Sequence, residues 1–204
     1  MTSEGAFAPD VGRWAPWAPA EIAERLRGVD VTWYVVAGWA LDLFHGRQTR
    51  DHDDLEIGVA YHEFGAIRDA LDEFELFVVG DGLAWPVTES NLARHRQTWV
   101  REPDTRLWRV DVIRERWEGN VWTYRRDARI RLRREQLITK TSDGIPDAEP
   151  EVVLLFKAGS PRPKDDQDFA RALPFLDGRR RSWLSDALEL VHPRHPWLAA
   201  LADA

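Results

Sequence analysis

Three carboxylates occupy positions from which they could bind one divalent cation. Asp54 and Glu56 alternate with aliphatic residues in a segment that predicts a β-strand. Side chains two apart on a strand share a face, with Cα atoms about 6.6 Å apart, so these two acids repel each other unless a cation lies between them. Mg²⁺ is the expected ion, since one or two carboxylates, water and phosphate usually hold it. Asp111, in a second alternating segment at 107–114, could complete the site or accept the proton of an attacking hydroxyl.

A strand, a tight turn and a short helix precede the acidic strand. Residues 31–37 are β-branched and aromatic, and a helix is predicted from Trp39. Gly38 at the turn lets a phosphate approach the backbone, and the helix N-terminus offers unpaired N–H groups. Trp39 is a candidate wall of a nucleotide pocket. An isolated D-x-E pattern more often marks an edge strand that faces solvent. Here the turn at Gly38, about sixteen residues upstream of the acids, favours an active site instead.

Composition limits the class of protein and of site. The chain has 204 residues and no cysteine, which predicts one compact unit without disulfides or thiolate metal sites. The net charge of -7 argues against broad nucleic-acid binding and suits a cationic small molecule better. No apolar run is long enough to span a membrane and the N-terminus does not resemble a signal peptide. We therefore expect a cytoplasmic protein without a membrane partner.

The periodicity predicts an α+β fold, with a mixed β-sheet, flanking helices and a C-terminal helical region. Residues 1–17 lack periodicity and predict a loosely ordered arm that packs its tryptophans onto the body. Residues 18–148 contain the predicted strands and form the expected catalytic domain. Residues 149–204 are predicted to be helical. The segment 83–100 is predicted to be irregular, with room for one further strand.

Three short segments carry a family resemblance: Gly38-Trp39-Ala40-Leu41-Asp42, Gly46-Arg47-Gln48-Thr49-Arg50 and His52-Asp53-Asp54-Leu55-Glu56-Ile57. Together they resemble the signature of the aminoglycoside and lincosamide nucleotidyltransferases, within the polymerase-beta-like nucleotidyltransferase superfamily. The resemblance implies a nucleotidyltransferase-like sheet and transfer of a nucleoside monophosphate, usually AMP from ATP, onto a hydroxyl with release of pyrophosphate.

The resemblance also implies roles for individual residues. Asp54 and Glu56 would hold Mg²⁺, Gly38 would seat the triphosphate, and Asp111 would be the third metal ligand and the catalytic base. The sequence departs from the family pattern where Ala37 replaces a common first glycine and where Glu56 replaces the commoner aspartate.

Two further segments resemble the helical region of the superfamily: Leu154-Leu155-Phe156-Lys157-Ala158 and Arg162-Pro163-Lys164-Asp165-Asp166-Gln167-Asp168-Phe169. Lys157 and Lys164 could bind phosphate as point charges. Their alternative roles are a surface lysine and a first-turn residue beside the acids at 165 and 166. Arg50 either contacts phosphate or pairs with a neighbouring acid. Asp42 is expected to be structural, bonding across to the turn at 46–49.

These features predict a Mg²⁺-dependent nucleotidyltransferase that modifies an antibiotic. Its substrates would be a nucleoside triphosphate and a small hydroxylated, cationic acceptor. One alternative is an enzyme of the toxin or antitoxin type that modifies tRNA or protein. A continuous basic surface formed by the arginines between 125 and 134 would support this alternative. These arginines alternate with aliphatic residues, however, which favours the solvent-exposed side of a strand. The other alternative is a non-catalytic nucleotide-binding module. The pattern does not predict an oligomeric state.

Overall fold

The structure is a computed structural model that describes residues 5–203. Its strands are β1 (Trp33–Val35), β2 (Glu56–Ala60), β3 (Glu75–Gly80), β4 (Leu83–Pro86), β5 (Gln97–Arg101), β6 (Trp108–Glu115), β7 (Trp117–Glu118), β8 (Val121–Thr123), β9 (Arg131–Arg133), β10 (Ile138–Lys140) and β11 (Pro146–Ala148). Its α-helices are α1 (Pro19–Arg25), α2 (Ala37–His45), α3 (Phe64–Ala70), α4 (Glu89–Arg94), α5 (Arg134–Leu137), α6 (Pro150–Ala158), α7 (Pro163–Ala172), α8 (Gly178–Val191) and α9 (Trp197–Ala202). Short 3-10 helices lie at Val11–Arg13, Tyr61–Glu63 and Leu173–Phe175. The α+β prediction is confirmed.

The chain divides into two compact units. Unit 1 contains the chain up to Val35 together with His52–Trp117, and unit 2 contains Val36–Asp51 together with Glu118–Ala204. This division differs from the predicted boundary after residue 148. The segment 118–148 belongs with the C-terminal helices, and the short helix α2 belongs with them as well, although it lies between two strands of unit 1 in the sequence.

Unit 1 is built on a mixed sheet with strand order β1-β2-β6-β5-β3-β4. Only the β2–β6 pair among these is parallel, and the other neighbours are antiparallel. The central strands bury their aliphatic side chains completely, as at Ile57, Val100, Val110 and Val112. A parallel pair at the centre of a sheet is covered on both faces. Glu56 at the start of β2 and Asp111 within β6 therefore extend from strands that are buried at almost every position.

The N-terminal segment is attached more firmly than its lack of periodicity indicated. The amides of Ala15 and Trp17 donate to the carbonyls of Trp108 and Arg109, each at 3.0 Å. Phe7 exchanges two backbone hydrogen bonds with Ala84. The described residues 5–17 thus lie along the sheet of unit 1 by backbone pairing, a long-range contact that local periodicity does not encode. The expected packing of tryptophan is present, since the Trp17 side chain is only 3% exposed.

Unit 2 is a helical cluster with two short antiparallel hairpins, β8–β9 and β10–β11. Helix α6 packs against α2, α7 and α8, and α8 also packs against α9. Leu154 and Leu155 of α6 and Leu184 and Leu188 of α8 are completely buried. The prediction that residues 149–204 are helical agrees with α6, α7, α8 and α9. In the described part of the chain, no helix has the length and apolar character needed to span a membrane.

Candidate active site

The acidic residues Glu56 and Asp111 face each other across the parallel strand pair of unit 1. Their Cα atoms are register partners, and the amide of Asp111 donates to the carbonyl of Leu55 at 2.8 Å. Side chains at paired positions of adjacent strands project from the same face, about 4.8 Å apart. Asp54 lies two residues before Glu56, just ahead of the strand. Unit 1 therefore brings the three predicted acids to the beginning of β2 and its neighbour in β6.

The three carboxylates differ in their contact with water. Asp54 is exposed, Glu56 is half-buried and Asp111 is only 2% exposed. The Oδ2 atom of Asp111 accepts a hydrogen bond from the amide nitrogen Nε2 of Gln97 at 2.5 Å. Its Oδ1 atom is buried and has no hydrogen-bond partner among the described residues. A buried oxygen without a partner is costly, so Oδ1 is a candidate position for a ligand.

Burial raises the pKa of Asp111 to about 7, and the negative charge of Asp54 adds to this rise. The side chains of Gln97 and Trp99 oppose this rise by stabilising the ionised form. A carboxyl with a pKa near neutrality can exchange a proton at the pH of the cell. The environment of Asp111 thus suits a group that receives a proton during a reaction.

The carboxylates of Glu56 and Asp111 fit a hard cation such as Mg²⁺. Across residues 5–203, no group of three or more His, Asp or Glu side chains is arranged so that it could hold a metal ion. Mg²⁺ does not require such a group, because it commonly binds one or two carboxylates and completes its octahedron with water and phosphate. The unpartnered Oδ1 of Asp111 beside the register partner Glu56 is the observation that matches this chemistry.

The predicted phosphate-binding turn opens helix α2 in unit 2. Val36 is its N-cap residue and makes no side-chain capping hydrogen bond, and Gly38 and Trp39 lie in the first turn. Gly38 is buried and Trp39 is half-buried. Ala37 has a φ of 57°, in the left-handed region that glycine adopts without strain. The missing family glycine therefore coincides with a position where the backbone favours one.

Arg50 and Lys157 meet at a single carboxylate of unit 2. Arg50 binds Asp168 with two bonds of 3.1 Å, from Nε to Oδ1 and from Nη2 to Oδ2. The Nζ atom of Lys157 lies 2.9 Å from Oδ2 of Asp168 and 2.8 Å from Oδ1 of Asp165. Although burial opposes it, hydrogen bonds from Arg50 and Lys157 lower the pKa of Asp168. These two cations belong to a buried ion-pair network, and their contact with phosphate remains a prediction.

Two other sequence predictions can be located in unit 2. Asp42 is 3% exposed, and its Oδ1 accepts hydrogen bonds from the amide (3.0 Å) and the hydroxyl (2.5 Å) of Thr49. The predicted bond across the turn is thereby confirmed. Lys164 lies half-buried in the first turn of α7. Its role in phosphate binding stays a prediction.

The sequence did not single out Gln97 or Asp168, each of which contacts a predicted site residue. Gln97 opens β5, in the segment that was predicted to be irregular. Asp168 lies one helical turn after Asp165, a spacing that places both carboxylates on one face of α7. That spacing was a usable signal for Asp168, whereas the contact of Gln97 depends on strand register.

At least three of the six arginines between 125 and 134 are paired within unit 2. Arg126 donates to the carbonyl of Phe156 at 2.8 Å, Arg129 binds Asp127, and Arg131 binds Glu118 at 2.8 Å. In β9 the exposed arginines at 131 and 133 flank the buried Leu132. The predicted alternation of a strand with one solvated side is confirmed.

Comparison with solved structures defines the class of this fold. The lincosamide antibiotic adenylyltransferase LnuA, solved with lincomycin bound, superimposes with a TM-score of 0.52 at 16% identity, over 74% of this chain and 91% of that one. ANT(2'')-Ia, solved in complex with adenylyl-2''-tobramycin, gives a TM-score of 0.58 at 13% identity, over 84% of this chain and 94% of that one. The fold is therefore that of the nucleotidyltransferases.

The sequence identifies the family. The profile of the aminoglycoside-2''-adenylyltransferase family matches residues 20–134, which is more than half of the chain. The chain belongs to this family and is a nucleotidyltransferase. No protein of curated function matches it.

Proposed function

We propose that this chain is a Mg²⁺-dependent enzyme that transfers AMP from ATP onto a hydroxyl of a small cationic antibiotic of the aminoglycoside type and releases pyrophosphate. The observation that carries the proposal is the pairing of Glu56 with Asp111 on parallel strands, with Asp54 two residues upstream. Three acids beside one another in a nucleotidyltransferase fold provide ligands for a cation and a base for one phosphoryl-type transfer.

In this proposal Asp54, Glu56 and Asp111 would supply the ligands of Mg²⁺, with one or two of these carboxylates binding it directly and water and phosphate completing its coordination. The ion, when bound, supplies positive charge that offsets the charge of the triphosphate during transfer. Asp111 also accepts the proton of the acceptor hydroxyl. The hydroxyl oxygen then bonds to the α-phosphorus, the bond from that phosphorus to the bridging oxygen breaks, and pyrophosphate leaves. Oδ1 of Asp111, which has no other partner among the described residues, receives the proton.

We assign binding of the triphosphate to the first turn of α2 and to three cationic side chains. The first turn of α2, at Gly38 and Trp39, presents backbone N–H groups that no capping side chain occupies, and helix N-termini favour anions. The three cationic side chains are Arg50, Lys157 and Lys164. Their role is to bind and orient phosphate, while the bond changes take place at the hydroxyl and the α-phosphorus.

We assign the class of acceptor from the net charge of the chain and from its family. A net charge of -7 favours the approach of a cation over that of a polyanion. The solved relatives carry lincomycin and an adenylylated tobramycin. The paired state of the arginines between 126 and 131 gives no support to a tRNA acceptor.

A panel assay tests the acceptor and the nucleotide together. The purified chain is incubated with Mg²⁺, with ATP, GTP or CTP, and with individual aminoglycosides and lincosamides. We expect at least one aminoglycoside to gain the mass of one AMP in the presence of ATP, with one pyrophosphate released for each. Transfer to added tRNA or protein, with none to any antibiotic, would overturn the acceptor assignment.

A further inference from the structure

We propose that Gln97 is a positioning residue for Asp111: its side-chain amide holds Oδ2 and thereby commits Oδ1 to the metal and the acceptor hydroxyl. The proposal rests on the role given to Asp111 in the proposed function. It concerns a residue outside the three segments that carry the family resemblance.

The strand register brings the two side chains together. β5 and β6 are antiparallel, with Trp99 opposite Asp111 and Gln97 opposite Ile113. Gln97 and Asp111 are therefore diagonal neighbours on one face, at a separation that long side chains can bridge. The bridge is a hydrogen bond of 2.5 Å from Nε2 of Gln97 to Oδ2 of Asp111. Both ends of this bond start from strands in the core of unit 1, so its direction is fixed.

The chemistry of the donor matters as much as its position. An amide is neutral, so it occupies one oxygen of the carboxylate without cancelling the negative charge that attracts a cation. Lysine or arginine at this position would form an ion pair and compete with the metal. An amide also cannot take up the proton of the acceptor. Gln97 thus restricts Asp111 to one free oxygen and leaves its charge intact.

A purely structural role of Gln97 would change different measured quantities. A buried carboxylate needs a partner for stability alone, and loss of that partner would then change only the free energy of unfolding. A positioning role changes cation affinity and turnover even where the fold survives. Hydrogen-bond partners of metal ligands typically contribute about 10- to 100-fold to affinity or activity.

The test uses two substitutions and a direct metal probe. Gln97→Met keeps the length of the side chain without a donor, and Gln97→Asn keeps the amide on a stem one methylene shorter. Binding of Mn²⁺ to the full-length chain is followed by electron paramagnetic resonance without nucleotide, and kcat and KM for ATP are measured with Mg²⁺. Gln167→Met, at an exposed position of α7, is the matched control.

We expect both Gln97 variants to bind Mn²⁺ about 10-fold more weakly and to lose about 10- to 100-fold in kcat, with KM for ATP unchanged. In an Asp111→Asn background, Gln97→Met should change Mn²⁺ affinity no further, because coupled residues are not additive. Wild-type affinity and kcat in both variants, or an equal loss in the Asp111→Asn background, would overturn the proposal. A wild-type chain that neither binds Mn²⁺ nor transfers nucleotide would instead reject the proposed function, and the role of Gln97 with it.

Discussion

At the carboxyl group of Asp111, burial and hydrogen bonding act on the pKa in opposite directions. Burial raises its pKa to about 7, while the hydrogen bond from Gln97 favours the ionised form. A base with a pKa near the working pH combines a useful ionised fraction with the ability to hold a proton. The sequence predicted the position of this acid from strand alternation, but not its burial. β6 is an inner strand between β2 and β5, a position that local alternation does not reveal.

The backbone strain at Ala37 is visible only in the structure. Its φ of 57° lies in the left-handed region, which costs a residue with a Cβ about 1–2 kcal/mol. The sequence showed that alanine replaces a common glycine, and the backbone shows why glycine is common there.

Replacing Ala37 with glycine should therefore stabilise the protein. The relief of strain exceeds the entropic cost of glycine, about 0.5–1 kcal/mol, so we expect a gain of up to about 1 kcal/mol. Urea denaturation followed by circular dichroism measures it. Ala170→Gly, in the exposed face of α7, should instead lose about 1 kcal/mol. A loss of stability in both variants would contradict the strain at residue 37.

Among the elements, α6 and α7 are joined by charge as well as by apolar packing. Lys157 of α6 is 8% exposed and lies between two carboxylates of α7, and Arg50 reaches the second of these from the segment after α2. Removing one partner of a buried ion pair leaves the other uncompensated. Asp168 pairs with Arg50, Lys157 and, at 3.4 Å, Arg171, so its loss leaves several cations uncompensated.

Asp168→Asn should destabilise the protein by about 3 kcal/mol at neutral pH, measured by chemical denaturation. Because the pKa of Asp168 is lowered in the folded state, its contribution is present above the unfolded pKa of about 3.9 and is lost as the pH falls below it. The difference in the free energy of unfolding between wild type and variant should therefore become smaller below about pH 4.

The matched control for this network is Asp186→Asn, at an exposed position of α8, which should change stability by less than about 0.5 kcal/mol. A difference for Asp168→Asn that stays constant from pH 7 to pH 3 would show that the stabilisation does not come from the charge of this carboxylate.

The elements that the sequence predicted well are those with a clear local period. Helices α6 and α8 and strands β2 and β6 follow from their apolar spacing, because the burial of one face determines each of them. β5 lies in the segment 83–100, which was predicted to be irregular with room for one further strand, and its bounds depend on pairing with β3 and β6. The pairing of residues 5–17 with β4 and β6, and the assignment of α2 to unit 2, depend on contacts far apart in sequence. No local pattern contains that information.

At the scale of the whole molecule, the acidic net charge and the paired arginines point in the same direction. Repulsion of a polyanion and attraction of a cation both favour an aminoglycoside-like acceptor over RNA. Prediction of the acceptor from sequence stops at this class, since the positions that would distinguish one antibiotic from another carry no motif.

Substitution of Arg125, Arg133 and Arg134 by glutamine tests the polyanion alternative. All three are exposed. We expect the triple variant to adenylylate the antibiotic at the wild-type rate, with the same dependence on salt. An RNA acceptor that contacts these residues would instead bind more weakly, and the slope of log affinity against log salt would fall by about 2 to 3.

The central claim is that the acids at the start of β2 and in β6 carry out metal-dependent transfer. It is tested most directly by pyrophosphate release with ATP, Mg²⁺ and the acceptor from the panel, comparing wild type with Asp54→Asn and Asp53→Asn. We predict that Asp54→Asn abolishes release and retains the circular dichroism spectrum of wild type, and that Asp53→Asn, the exposed neighbouring acid, keeps most of the rate. Unchanged turnover in Asp54→Asn would contradict the assignment of the metal site.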